Sequence, residues 1–193
     1  MIVAPAPLIV VLGDSLAISP SRESNFVAGL QVRLNGTRAG WTLINQGIRG
    51  DTTSGGLRRI EYALAGHPRV LILALGANDG LRGVDVQRIE KNLAAMIEVA
   101  QARGIQVLLC GMETPPLRGW SYTRAFHEIY PRLSARYSLP LVPFLLDGVA
   151  FRGDLNHDGI HPNAAGAKMV AENVWPHLAR LVAGSQARPA SAV

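Results

Sequence analysis

The sequence predicts a three-layer α/β/α fold built on five parallel strands. Short apolar runs alternate along the chain with longer amphipathic stretches, the pattern of strands joined by crossover helices. The runs at 8–12 and 70–75 are aliphatic throughout, with no polar face, which fits strands covered on both sides. At 193 residues the chain suits one domain with a sizeable core, and 48% hydrophobic against 17% charged residues is the balance of an ordinary globular protein. A single domain is expected over 1–183. The small, polar, Pro-containing segment 184–193 is expected to be a disordered tail.

Taken in order, 8–12 is the first strand, and Gly13 ends it. Residues 16–24 read as a loop with Pro20 and several serines. Residues 25–34 carry Phe26, Val27, Leu30 and Leu34 on one side, a helix that Asn35-Gly36 stops. Residues 41–44 are the second strand. Asp51-Thr-Thr-Ser54 offers several N-caps, so a helix begins close behind Gly50, with Leu57, Ile60 and Leu64 as its apolar stripe. Residues 70–75 are the third strand. The loop 79–84, containing Gly80 and Gly83, is expected to move over a substrate. Val86, Ile89, Leu93, Met96 and Ala100 recur at three and four, giving a helix over 86–103 that Gly104 closes. The fourth strand is 105–110, followed by a loop over 111–121. Phe126, Ile129, Leu133 and Tyr137 define a helix over 123–137, kinked by Pro131. The fifth strand is 139–144. A closing helix over 163–181 turns Met169, Val170, Val174, Leu178 and Leu181 inward, with Pro176 bending it.

Composition narrows the function. The single cysteine, Cys110, rules out an internal disulfide. It ends an apolar strand with no base nearby, which marks a structural thiol and not a nucleophile. The formal net charge is +5, carried almost wholly by scattered arginines. No basic run or basic–aromatic interleaving suggests a nucleic-acid surface, although a mild attraction to anionic substrates fits. There is no H-E-x-x-H, and the histidines are too dispersed for a typical zinc site. Neither G-x-x-x-x-G-K-[ST] nor G-x-G-x-x-G is present. No metal or cofactor is expected, and a monomer is the default. The run 1–13 contains Pro5 and Pro7, is too short to span a bilayer and lacks the basic start of a signal peptide. No stable membrane insertion is expected. The compartment stays open: cytoplasmic as written, periplasmic or secreted if a leader has been removed.

Four short motifs carry the chemistry. Gly13-Asp-Ser15 stands at the end of the first strand, and ligands collect at the C-terminal ends of parallel strands. Taken alone it also fits a turn that caps the next helix. Asp158-Gly-Ile-His161 supplies what a serine needs: a base with a near-neutral pKa, and a carboxylate that holds the imidazole in one tautomer. Taken alone it also fits an acidic loop with an exposed histidine. Asp147 and Asp154 are other carboxylates in reach of that loop, and His157 is another imidazole. Asp158 and His161 are preferred for their fixed, local spacing. Gly50 precedes a helix N-terminus, where a backbone N–H faces an anion, whereas Gly47 fits a tight turn. Asn78, just beyond the third strand, offers a side-chain amide to a developing oxyanion.

In order, Gly13-Asp-Ser-Leu16, a glycine in the second block, Gly76-Ala-Asn78 and Asp158-Gly-Ile-His161 resemble the four blocks of the SGNH (GDSL) hydrolases. Gly76-Ala-Asn-Asp-Gly-Leu-Arg-Gly83 and Ser138-Leu-Pro-Leu-Val-Pro-Phe144 look like the bacterial thioesterase I, lysophospholipase L1 and arylesterase branch. The likeness spans roughly 8–181. It implies the flavodoxin-like strand order 2-1-3-4-5 and a serine esterase acting on acyl esters and thioesters. Ser15, His161 and Asp158 would form the triad, with an oxyanion hole of the Ser15 and Gly50 N–H groups and the Asn78 amide. Gly50, immediately before Asp-Thr, matches the family position. The resemblance also implies that the loop after strand four walls the acyl pocket, where Met112, Leu117, Trp120 and Tyr122 are the candidates. Ala17-Ile-Ser-Pro20 departs from the glycine or aromatic that often follows the serine, which affects the pocket edge. The α/β-hydrolase fold would need Gly-x-Ser-x-Gly, which is absent. A carbohydrate acetylesterase of the same family and a non-catalytic flavodoxin-like binding module are the alternatives.

Overall fold

A computed structural model describes residues 6–37 and 39–186. Five strands form one sheet: β1 (Leu8–Gly13), β2 (Thr42–Gly47), β3 (Val70–Ala74), β4 (Gln106–Cys110) and β5 (Leu141–Val142). Their order is β2-β1-β3-β4-β5, all parallel. Seven α-helices flank the sheet: α1 (Phe26–Asn35), α2 (Thr53–Ala63), α3 (Ala77–Arg82), α4 (Val86–Ala102), α5 (Trp120–His127), α6 (Ile129–Tyr137) and α7 (Ala164–Gln186). Helix α1 packs on α7, and α2 packs on α4, which also meets α5 and α6.

The core follows from the aliphatic runs. Ile9 to Leu12, Val70 to Leu75 and Val107 to Cys110 are all buried, as central strands between two helical layers require. Burial pushes the Cys110 thiol up to about 12, so it sits in the core as an inert, neutral group. Asn25 and Thr52 cap α1 and α2, accepting hydrogen bonds from Ala28 and Gly55 N–H.

Several elements differ from their sequence pattern, each for a local reason. Strand β2 extends to Gly47 because pairing with β1 holds its polar end in register. Strand β5 shrinks to two residues, since the flanking Pro140 and Pro143 have no N–H to donate. The expected kinked helix over 123–137 is two helices, broken at Glu128. Pro131 cannot donate to the carbonyl four residues back, that of His127, and α5 ends there. The expected mobile loop 79–84 is mostly helix α3, closed by Gly83 in the left-handed conformation. Trp120 and Ser121, expected in a loop, open α5. Helix α7 runs through Pro176 and continues to Gln186, so 184–186 are helical and not tail; 187–193 lie outside the described residues. Met169, expected inward, is 37% exposed, while Val170, Val174 and Leu178 face the core.

Candidate active site

Strand β1 delivers its last residue, Gly13, directly into a single 3-10 turn over Ser15–Ala17. The backbone there is crowded. A Cβ on Gly13 would stand 2.9 Å from the Ala17 Cβ, and one on Gly47 would stand 2.9 Å from the Asp14 carbonyl. Two glycines thus let the strand ends close around the serine. Asp14 holds the turn: its Oδ1 accepts from the Leu16 N–H at 2.9 Å.

The Ser15 Oγ lies 2.9 Å from His161 Nε2, across 146 residues of sequence. On the far side of the ring, His161 Nδ1 lies 2.7 Å from Asp158 Oδ2. With Nδ1 protonated toward the carboxylate, Nε2 accepts from the serine hydroxyl. Asp158 Oδ1 also accepts from the His161 and Ile160 backbone N–H groups, at 2.8 and 3.1 Å. The His161 backbone donor, followed by its ring, pulls the Asp158 carboxyl down to about 2. The neighbouring candidates are placed elsewhere. Asp154 pairs with Arg152 at 3.0 Å, Asp147 gives its backbone carbonyl to Asn173, and the His157 backbone N–H donates to the His161 carbonyl.

Asn78 stands at the second position of α3, and its Nδ2 donates to Asp14 Oδ2 at 3.1 Å. That bond ties the amide to the residue beside the serine and leaves its second N–H available. Gly50 takes a positive φ of 69° in the loop before α2, a conformation that costs glycine little. Its carbonyl accepts from Arg82 Nη2 at 3.0 Å.

Two supports escape a reading by motif. The Arg59 guanidinium donates to the Gly13 and Gln46 carbonyls, at 2.9 and 2.8 Å, and pairs with Asp51. One side chain on α2 therefore braces the ends of β1 and β2 and the residue after Gly50. Buried Asp79 accepts from both the Thr53 N–H and hydroxyl, at 2.8 and 2.7 Å, locking α3 to the start of α2. No periodicity signals either, because the partners are distant in sequence and several are backbone groups.

Burial pushes the Asp14 carboxyl up to about 6 from 3.8, while the Leu16 N–H and then the Asn78 amide pull it down. A raised carboxyl contributes stability that is fully present below its unfolded value and lost as pH rises through its folded value. Relative to Asp14→Asn, the wild type is expected to gain about 2 kcal/mol as pH falls from about 7 to about 4. Urea unfolding of both proteins across that range measures the gain, and a pH-independent difference would show that Asp14 titrates normally.

A cavity of about 470 Å³ opens beside these groups, within the range of small-molecule sites. Leu16 and Ala77, neighbours of Ser15 and Asn78, line it at one end, and Ile160 lines it next to His161. Of the four wall candidates, Met112 and Trp120 line it and the other two do not. Leu117 points to solvent, and the Tyr122 hydroxyl donates to the Val84 carbonyl while its ring stacks on Phe126. Phe144, Leu146 and Phe151, from the loop after β5, form the wall that sequence reasoning missed. Helix α3 contributes Leu81.

The GDSL-like lipase/acylhydrolase family model matches residues 11–169. Esterase TesA of Pseudomonas aeruginosa is 40% identical over 183 residues, covering 93% of this chain and 91% of that protein. Thioesterase 1/protease 1/lysophospholipase L1 of Escherichia coli K12 is 33% identical over 181 residues, covering 93% of this chain and 86% of that protein. A crystal structure of TesA superposes with a TM-score of 0.85 at 39% identity, covering 90% of this chain and 99% of that one. The sheet order and flanking helices match this neighbour. The chain belongs to the GDSL-like lipase/acylhydrolase family and is a carboxylic ester hydrolase.

Proposed function

We propose that this protein cleaves acyl esters and thioesters through Ser15, His161 and Asp158 with an acyl-enzyme intermediate. The observation that carries this reading is the unbroken relay from Ser15 Oγ to His161 Nε2 and from His161 Nδ1 to Asp158, at 2.9 and 2.7 Å. Ser15 Oγ attacks the acyl carbonyl carbon while His161 takes its proton. The tetrahedral oxyanion meets the Ser15 and Gly50 N–H groups and the second N–H of Asn78. Collapse breaks the bond to the leaving oxygen or sulfur, which takes the proton from His161. Water, deprotonated by His161, then attacks the acyl-enzyme, and the proton returns to Ser15 as the acid leaves.

The apolar wall of Met112, Phe144, Leu146 and Phe151 favours an acyl chain over a carbohydrate acetate. Hydrolysis of p-nitrophenyl esters from acetyl to palmitoyl tests this. Turnover peaking at medium or long chains supports the acyl-chain reading, and a peak at acetyl assigns a short-chain esterase. Asn78→Ala is expected to lower kcat by about 10²–10³-fold with little change in KM, since its amide acts on charge that develops after binding. Wild-type turnover in that variant would remove Asn78 from the oxyanion hole.

A further inference from the structure

The rim of the site repeats one pattern on four connections. Each connection leaving the C-terminal edge of β2, β3, β4 and β5 carries an apolar residue followed by arginine: Ile48-Arg49, Leu81-Arg82 at the end of α3, Leu117-Arg118 and Phe151-Arg152. All four arginines are exposed. Leu117 is 75% exposed, Phe151 70% and Ile48 50%, and Trp120, at the start of α5, is 78% exposed. Leu81, Trp120 and Phe151 line the cavity, so three of these connections bring apolar side chains to it.

Three of these connections are fastened together. Arg118 donates to the Arg82 carbonyl at 3.3 Å, and Arg82 donates to the Gly50 carbonyl at 3.0 Å. Both bonds go to backbone, so neither guanidinium is neutralised. Among the described residues, Arg49, Arg82 and Arg118 make no ion pair, whereas Arg152 pairs with Asp154. Glu113, the acid lining the cavity, faces His127. Exposed aromatic and aliphatic groups ringed by unpaired cations match a surface that offers apolar depth beneath negative headgroups.

We propose that this rim docks the protein on an anionic phospholipid bilayer, presenting the cavity mouth to the membrane. No helix among the described residues is long and apolar enough to cross a membrane, so the attachment is peripheral. The proposal rests on the acyl-ester reading for its purpose, but docking and turnover are measured separately.

Sedimentation with vesicles tests it, using Ser15→Ala protein so that no ester is consumed. One set of vesicles is phosphatidylcholine and the other is phosphatidylcholine mixed with phosphatidylglycerol. The protein is expected to bind the mixed vesicles, to be released by salt, and to show a blue shift in tryptophan fluorescence as Trp120 enters the interface. Arg118→Gln should weaken partitioning roughly fivefold, and Leu117→Asp with Trp120→Asp should abolish it. All three side chains are exposed, so circular dichroism should show these variants folded. Val32→Asp with Tyr62→Asp, at exposed apolar sites on α1 and α2, should leave partitioning unchanged. The proposal is overturned by absence of binding, by equal binding to both vesicle types, or by equal losses from the rim and control variants. If docking holds while the wild type hydrolyses no ester, the acyl-ester reading fails by itself.

Discussion

Ser15→Ala is expected to lower kcat by about 10⁶-fold, and His161→Ala by a similar factor. A serine hydroxyl is a weak nucleophile until its proton is removed, and the imidazole 2.9 Å away is the base proposed to remove it. Losing either partner removes the same step, so the two effects should not add. The double variant should be no slower than either single one. Residual rate would come from the oxyanion donors and from binding, which the substitutions leave in place. Neither side chain belongs to the hydrophobic core, so folding should persist. Steady-state kinetics on a p-nitrophenyl ester with all three variants decide the matter. Multiplying losses in the double variant would mean that the two residues act in separate steps.

Asp158→Asn is expected to reduce kcat by about 10⁴-fold. The variant keeps an oxygen for the Ile160 and His161 N–H groups, so the turn should survive. At the other position an amide NH₂ would face Nδ1, where a carboxylate oxygen now accepts. The ring would answer by protonating Nε2, the tautomer that cannot take the serine proton. The loss should therefore fall on kcat, with KM and thermal stability close to wild type. Because Asp158 is pulled down to about 2, its charge persists through mild acid. It contributes stability above its unfolded value that disappears only as pH falls toward 2. A loss in mild acid should then appear in both proteins. If Asp158→Asn lost less than tenfold, another group would be orienting the imidazole.

The sheet is legible in the sequence because its central strands are buried on both faces and must be aliphatic end to end. The relay is legible because Asp158 and His161 share one turn, and Ser15 follows closely on an aliphatic run. What escapes does so for reasons of scale and direction. Helix α3 has six residues, one of them Gly80, too few for a periodic signal. The polar end of β2 is strand only because β1 lies beside it. Pro131 acts on the carbonyl of His127, four residues earlier, so the break falls upstream of the proline. Loop side chains such as Phe144 and Phe151 follow no period, so their approach to the cavity is written in tertiary structure alone. Arg59 reads as a surface helix residue until its carbonyl partners, 13 and 46 residues away, are folded against it.

The turn from Asp158 to His161 closes on itself, with both carboxylate oxygens spent inside it. Carboxylate and imidazole are therefore one cassette. A displacement of that turn as a unit would leave the imidazole its partner and its tautomer. Only the distance to Ser15 joins segments that can part. The relay thus crosses between distant segments at a single hydrogen bond, so a change in their spacing would alter the serine–imidazole distance and leave the carboxylate–imidazole pair intact.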